Sequence, residues 1–512
     1  MMNQSDTKTA DMQLDESNPK TAMETGTSAI HIDPAIERRV RWKIDLVVLP
    51  LVSNCPCSIS WEWMLIVRGL KMCLIYFSQY LDKQSLSYAG VFGLIDDLHL
   101  VGTQFAWLGS IFYVGQLASE FPAIYLMSRL PLAKFVSCLI ILWGGVCMCL
   151  AGATTFSSFM GVRFALGLAE GAVSPAFVTL TSLWYKKSEH PMRIGLWISC
   201  NGLAQVIGAL MMYGIGHNTA LAIAQWKAMF IICGALTVFF GILFFFLMPA
   251  GPDSAWFLTP EERQVATQRL RAETEGGDQT TFSISQLKET AMDIRAYLSF
   301  LFGLLITLPS PVIAFASLII YSLGYTNFET MLYTSPAGAI QMFFIWVGIG
   351  LCYIWPNRRC AITIGLTIIP LVGIILLFTL PLSSGWGMIV ASWLASVISN
   401  ILTVILSLNA SNIRGNTKKA IVNALFFVGY AIGAIVGPLL WNTKNAPRYR
   451  SGLVLALVSW LVFIPTVGVY WFTCARDNKR RSTMGMDIFE YAEEVTGKDL
   501  TDKEDKNFRY NL

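Results

Sequence analysis

The feature that most constrains this chain is how its charge is parcelled out. Of 70 charged side chains, 44 fall in residues 1–45, 249–296 and 475–512, which leaves 26 for the other 381 positions. Charged residues make up 14% of the whole, against roughly 25% in ordinary soluble domains. A cytosolic enzyme is excluded on that ground. The charge-poor stretches read as membrane-embedded, since about 20 apolar residues are needed for each helix that crosses a hydrocarbon core. After a first helix, hydrophobic runs separated by short polar breaks place spans near 105–127, 133–153, 157–184, 192–215 and 227–248. Beyond the polar segment 249–296, six more follow near 297–321, 331–354, 360–380, 387–410, 419–441 and 452–474. The expectation is an all-α membrane protein of twelve transmembrane helices in two blocks of six.

Lysine and arginine in short loops orient such a protein. With the N-terminus inside, the inner loops hold ten (Arg129, Lys134, Lys186, Lys187, Arg193, Arg358, Arg359, Arg414, Lys418 and Lys419) and the outer loops four (Lys227, Lys444, Arg448 and Arg450). The basic RDNKRR stretch at 476–481 and the central segment then also lie in the cytoplasm. Residues 1–36 are polar, with no apolar core of a cleavable signal in the first 30, and are expected to stay cytoplasmic and disordered. This divides the chain into a bundle over 37–248, a linker over 249–296, a second bundle over 297–474 and a tail over 475–512. A formal net charge of +4, carried mostly at helix ends, gives no stripe for nucleic acid. The 11 cysteines show no metal-ligand spacing, so neither metal nor cofactor is expected.

The loop after the fourth span reads KKSEHPMRIG and that after the tenth reads NIRGNTKKA. Each is a basic turn between paired helices. Internal duplication about a pseudo-two-fold axis is a recurrent plan of secondary transporters, with the solute site between the halves near the bilayer midplane.

Five strings carry a narrower likeness: ERRVRWKIDL (37–46), YLDKQSLSYAGVFGL (80–94), RFALGLAEGAVSPAF (163–177), MPAGPDSAWFLTPEERQVATQRLR (248–271) and NIRGNTKKAIVNALFFVGYAIGAIVGP (412–438). With these the chain resembles the major facilitator superfamily and, within it, the fungal allantoate permease family, from about Pro34 to Asp477. The resemblance implies the major facilitator fold, two pseudo-symmetric six-helix bundles, and a monomeric proton symporter in the plasma membrane. It would import a small organic anion such as allantoate, nicotinate or pantothenate. Ser87 departs from the pattern, standing where the family usually shows Asn. The loop SRLPLAK (128–134) is a poor match to the superfamily's G-x-x-x-D-R gate, so its basic residues read as orientation signals.

Ionisable residues inside apolar spans are the natural candidates for solute and proton handling. They are Asp82 and Lys83 in the first span, Glu120 in the second, and Arg163 and Glu170 in the fourth. Arg163 is read as a counter-charge to an anion, and Glu170, Glu120 or Asp82 as the carboxylate whose protonation accompanies uptake. The competing reading is a structural ion pair that locks helices together. For Lys83 a side chain reaching to the interface is favoured. Arg163 and Glu170 share a helix face but are about 10 Å apart along the axis, too far for contact. Among neutral groups, Asn201 and Gln205 of the fifth span face one way and Gln341 lies in the eighth; solute contact competes with bonds between helices. Asn400, Asn409 and Asn423 are weaker candidates. Gly167 and Gly171, and Gly429, Gly433 and Gly437, recur at four-residue steps that let backbones approach, and Pro175, Pro311 and Pro438 interrupt the helical ladder nearby.

Two other function classes compare with this one. A membrane enzyme would show clustered histidines or cysteines at ligand spacing, but His31, His99, His190 and His217 are scattered. A nutrient sensor on a transporter scaffold fits the same spans. For the segment after 488 a solvated tail is the default expectation.

One segment fits no span. SNCPCSISWEWMLIVRGLKM (53–72) separates LVVLPLV from CLIYFSQYLDK and carries Pro56, Glu62, Arg68 and Lys71. A central Arg or Lys costs about 2.5–3.5 kcal/mol on insertion scales, so the insert must loop out or disrupt the first helix and yield an inactive product. The hypothesis is a mis-spliced or divergent segment. Reverse-transcription PCR across codons 53–72 is then expected to find a shorter transcript; finding the insert in every transcript would refute splicing as its origin.

Overall fold

The computed structural model describes residues 34–48, 71–186, 190–217, 222–274, 283–441, 448–483, 499–505 and 507–512. Most of the span expected to be disordered, residues 1–33, lies outside the described residues, and so does the insert except for Lys71 and Met72, which open the first span. Helix already begins at Pro34, within the stretch expected to be disordered, and runs to Val48.

All twelve expected spans are helical. In the first half they are Lys71–Ala89, continued through the irregular turn Gly90–Leu94, then Gln104–Arg129, Leu132–Cys149, Phe156–Glu170 with Val173–Trp184, His190–His217 and Gln225–Leu247. In the second half they are Ile294–Thr307 with Pro311–Ser322, Asn327–Ile354, Arg359–Thr379, Trp386–Ala395 with Ser399–Asn412, Asn416–Leu439 and Arg450–Thr483. Ten of these are long and apolar enough to cross a membrane. The first and second fall short because Gln79, Asp82, Lys83 and Gln84, and Gln116 and Glu120, dilute them.

Local chemistry sets where several spans start and break. The fourth opens on a capping box in which Thr155 and Ser158 bond each other's backbone N–H, and the eighth on the Thr326–Glu329 equivalent. The interruptions fall in corresponding places: after Glu170 in the fourth span, around Pro309 in the seventh, after Ala395 in the tenth and at Gly93, with φ +94°, in the first. Broken helices are tolerated at membrane depth only where other protein or a water-filled cavity satisfies the freed backbone groups.

Within each half, helices meet backbone to backbone at glycine. A Cβ on Gly144 would run into the Gly234 carbonyl, joining spans three and six. One on Gly167 would strike the Phe112 carbonyl, and one on Gly429 or Gly433 would strike the backbone of the seventh span. Without a hydrophobic driving force between helices in lipid, such close contact is what holds them. The halves face each other through spans five and eight, where Gly202 and Gly338 meet, and through spans two and eleven, where the Ser110 hydroxyl donates to the Ile435 carbonyl at 2.8 Å.

One end of the bundle carries the helix Pro34–Val48 and two linker helices, Pro260–Thr274 and Ile284–Ala291; we call it the linker end. There Lys43 pairs with Glu262 at 2.6 Å, Lys186 with Glu37 at 2.5 Å and Arg193 with Asp45 at 2.9 Å. The Lys186 ammonium bonded to Glu37 holds that carboxyl below its usual range. Basic loop residues that read as orientation signals are thus also the partners of the Pro34–Val48 helix. Residues 484–498 and 506 lie outside the described residues; in the part of the expected solvated tail that is described, Thr501, Asp502, Asp505 and Tyr510 are not solvated but buried.

Gly433→Leu is expected to lower the thermal unfolding midpoint of the purified protein, as overpacking that costs about 1–3 kcal/mol does. Gly365→Leu, whose Cβ meets nothing within 4 Å, leaves it unchanged. Equal midpoints for the two variants in a thermal melt would contradict the packing described.

Candidate functional site

The interrupted spans surround a cavity of about 190 Å³ between the halves, lined from spans one, two, four, five, seven, ten and eleven. Its shape follows from the first span, where Tyr76, Gln79, Tyr80, Lys83, Gln84 and Ser87 recur every three or four residues and so occupy one face. Tyr113, Arg163, Asn201, Ser399 and Tyr430 approach from the other helices.

Asp82 and Lys83, adjacent in sequence, part company. Asp82 turns away from the cavity and is 1% exposed. Its carboxylate accepts from Trp143 Nε1 at 2.6 Å, from Thr237 Oγ1 at 3.4 Å and from Cys147 Sγ at 3.5 Å. It therefore joins the first span to the third and sixth. Lys83 turns inward. Its Nζ lies 3.0 Å from Glu170 Oε1, and its side chain keeps 22% of its surface open, so the interface-seeking cation expected here is a cavity cation instead. A helix places residues 82 and 83 about 100° apart, which is why one serves packing and the other the cavity.

Arg163 is 2% exposed and lines the cavity. Its guanidinium carbon stands 5.9 and 5.8 Å from the ring centres of Phe159 and Phe230. Its Nε and Nη2 meet no hydrogen-bond acceptor among the described residues. Buried donors are ordinarily satisfied, and each exception calls for a partner such as water, an ion or a ligand. Two free N–H groups in a fork suit a carboxylate. Glu170, seven residues on, pairs with Lys83 but does not itself line the cavity, and its carboxylate oxygens have no hydrogen-bond partner among the described residues.

The other candidates divide. Asn201 lines the cavity and leaves its Oδ1 unpaired among the described residues. Gln205 sits behind it, packed on Gly338, and does not line the space. Gln341 also lies behind the wall, bonded to Ser399, which does line it. Glu120 is half-buried on the second span and away from the cavity. Asn400 accepts from the backbone N–H of Ile401 and Asn409 from Ser299, so both are used within the second half. Ser87, at the departure from the family pattern, bonds the Ala314 carbonyl and Ser317, the latter at 2.7 Å, and thereby helps hold the halves together. In the sequence, Tyr76, Gln79 and Tyr80 are marked only by their spacing on the first span, and Tyr113 and Tyr430 carry no mark. Among the described residues no group of three or more His, Cys, Asp or Glu is placed to hold a metal ion.

The ring contacts between halves concentrate at the end opposite the linker. Phe105 packs edge-on to Phe315 at 5.7 Å, and Phe92 to Phe328 at 6.2 Å.

The model of the Major Facilitator Superfamily matches residues 72–438. The chain belongs to that superfamily. It is accordingly a multi-pass membrane transporter of the major facilitator fold, and not an enzyme. It is 34% identical over 485 residues to an uncharacterized transporter of Schizosaccharomyces pombe, covering 94% of this chain and 91% of that one. It is 30% identical to the allantoate permease of Saccharomyces cerevisiae, covering 94% and 88%, and 30% identical to the thiamine pathway transporter THI73 of the same yeast, covering 92% and 86%. Among solved structures it resembles a bacterial homologue of the human lysosomal transporter Spinster, inward-facing and unoccupied, with TM-score 0.57 and 16% identity over 82% of this chain and 98% of that one. The xylose transporter XylE of E. coli, partially occluded and inward-open, gives a TM-score of 0.53 at 13% identity over 76% and 98%.

If Asp82 is the pin between three spans, Trp143→Phe removes its shortest bond. Loss of a hydrogen bond to a buried charged group costs about 1.5–3 kcal/mol, and the thermal midpoint of the transporter is expected to fall accordingly. An unaltered melt would show that the indole does not hold the carboxylate.

Proposed function

We propose that this transporter imports a small organic anion together with protons, by alternating access between its two halves. The reading is carried by one observation: Arg163, a buried cation with two unmet donors, lines the same cavity as Lys83, whose ion-pair partner Glu170 stands behind it. A solute carboxylate that satisfies Arg163 brings negative charge towards Lys83 and competes with Glu170 for it. Glu170, once released, is the group that takes up a proton, so solute and proton travel together. Asp82, tied up on the far side of its helix, serves structure in this scheme, and Glu120 has no part in it.

The likeness to the allantoate permease of Saccharomyces cerevisiae supports a carboxylate of that size, with nicotinate and pantothenate as alternatives. The volume of about 190 Å³ suits such compounds. We place the linker end in the cytoplasm, in keeping with the ten-to-four bias of loop cations. On that orientation the aromatic contacts of Phe105 and Phe92 close the outer end. The domain division at 37–248, 249–296, 297–474 and 475–512, a plasma-membrane location and a monomeric state complete the proposal.

The test is uptake of labelled allantoate, nicotinate and pantothenate by sealed vesicles holding the purified protein, under an imposed gradient with the acid side outside. Accumulation that grows as external pH falls is expected for at least one. Arg163→Ala should reduce it roughly 10- to 100-fold, the loss that removing a charge-assisted bond of about 1.5–3 kcal/mol entails. Glu170→Gln should leave exchange of solute for solute while abolishing its response to the gradient. A folded protein that accumulates none of these solutes at any pH refutes the reading and favours a sensor.

A further inference from the structure

The C-terminal residues 499–512 are bound into the linker end by contacts that the transport reading does not use. Asp502, 1% exposed, accepts from Tyr510 Oη at 2.7 Å and pairs with Lys418 at 2.8 Å and Arg295 at 3.4 Å. Asp505 pairs with Arg414. The Asn412 side chain bonds the backbone of Asn511 both ways, at 2.9 and 2.7 Å, and Asn478 does the same to Tyr510 at 2.8 and 2.9 Å. Arg481 donates to the carbonyls of Phe508 and Asp502, both at 2.6 Å. Chain ends are ordinarily poorly ordered unless tied down. This one ties the second linker helix to spans seven, ten, eleven and twelve.

Thr501 is the point at which that attachment is most sensitive to charge. It is 0% exposed, its Oγ1 donates to Glu289 Oε2 at 2.8 Å and its N–H donates to Glu504 Oε2 at 2.9 Å. Lys418, which shares Glu289 with Thr501, already serves Glu289, Asp293 and Asp502, each at 2.8 Å. Burial works to raise the Asp293 carboxyl, but Lys418, Arg295 and Lys503 outweigh it and hold the group below its usual range. All three are thus committed to carboxylates. There is also no spare room: a Cβ on Gly415 would lie 3.1 Å from the Thr501 methyl. A dianionic group on Thr501 would stand against Glu289 and Glu504 in a filled site, the arrangement in which phosphorylation disrupts.

We propose that residues 499–512 are a detachable strap, released by phosphorylation of Thr501. The sequence Thr501-Asp502-Lys503-Glu504-Asp505 offers the acids that a kinase preferring acidic substrates would recognise. Thr501 Oγ attacks the γ-phosphorus of a nucleoside triphosphate, the bond to the β-phosphate oxygen breaks, the nucleoside diphosphate leaves and the hydroxyl proton passes to the kinase's base. The kinase acts on the fraction of chains with the strap undocked, and the added charge keeps them so by mass action.

The test is hydrogen exchange, read by mass spectrometry on full-length purified protein, over the peptide containing residues 499–512. Protection is expected in the unmodified protein and in Thr501→Ser. Exchange at least 10-fold faster is expected in Thr501→Glu, in Asn412→Ala and in wild-type protein treated with an acid-directed kinase and ATP, a sample already folded before modification. A segment unprotected in the wild type overturns the strap. Continued protection in both Thr501→Glu and the phosphorylated protein overturns its release by charge. Failure of the kinase to modify Thr501 even in Asn412→Ala overturns the modification.

Discussion

A charge held at membrane depth must have a reason to be there, and the placement of four such charges organises the first half of this protein. Removing an ion from water is expensive enough that one left without compensation is strongly destabilising. Asp82 is compensated by an indole, a hydroxyl and a thiol, and Lys83 and Glu170 by each other. Arg163 has two aromatic faces and two empty donor positions. Asp82 has donors and Lys83 and Glu170 have each other's charge, whereas Arg163 has no acceptor at Nε or Nη2 among the described residues, and Arg163 is at the cavity. That asymmetry separates a site from a set of struts more clearly than the presence of charge does.

The glycine contacts supply what a moving bundle also needs, which is rigidity inside each half. Where Gly144 meets Gly234, or Gly429 meets the seventh span, the approach is backbone to backbone and a single methyl cannot be admitted. Contacts across the halves are mixed: Gly202 of span five and Gly338 of span eight also meet backbone to backbone. The others include ring edges such as Phe105 on Phe315 and single hydroxyl bonds such as Ser110 to Ile435. Contacts of this second sort can be broken and remade at modest cost, whereas close-packed backbone resists continuous deformation.

The spans and the family were legible because hydropathy, loop cations and motif strings report on the bilayer, which acts on the chain segment by segment. The site was legible only in part. Arg163, Glu170 and Asn201 could be nominated because a polar group in an apolar run is conspicuous, but Asp82 and Lys83 look alike by that criterion and, about 100° apart on the helix, face different neighbours. Which way each faces depends on helix phase relative to the neighbouring spans, and no single-chain pattern fixes that phase. The cavity tyrosines escaped notice because a tyrosine among leucines is not anomalous. The docked C-terminus escaped for the opposite reason: Thr501 to Asn511 is as polar as any solvated tail, and the cations of spans seven, eleven and twelve and of the loop after span ten show where it belongs.

The two halves differ in a way that bears on how a carrier of this kind would work. Between residues 297 and 474 every described charged residue lies at or near a helix end, and the second half meets the cavity with Thr307, Ser310, Ser399, Tyr430 and apolar groups. On the proposed reading the first half holds the solute's charge throughout the cycle, and the second half offers neutral hydrogen bonds that it can surrender. A neutral bond contributes about 0.5–1.5 kcal/mol net, and one to a charged group about 1.5–3 kcal/mol. Rocking that breaks the weaker set while keeping the stronger lets one half slide past a bound anion without first releasing it. An arrangement with a cation on each side would instead clamp the halves on the solute, and the same charge that gave affinity would then oppose the movement.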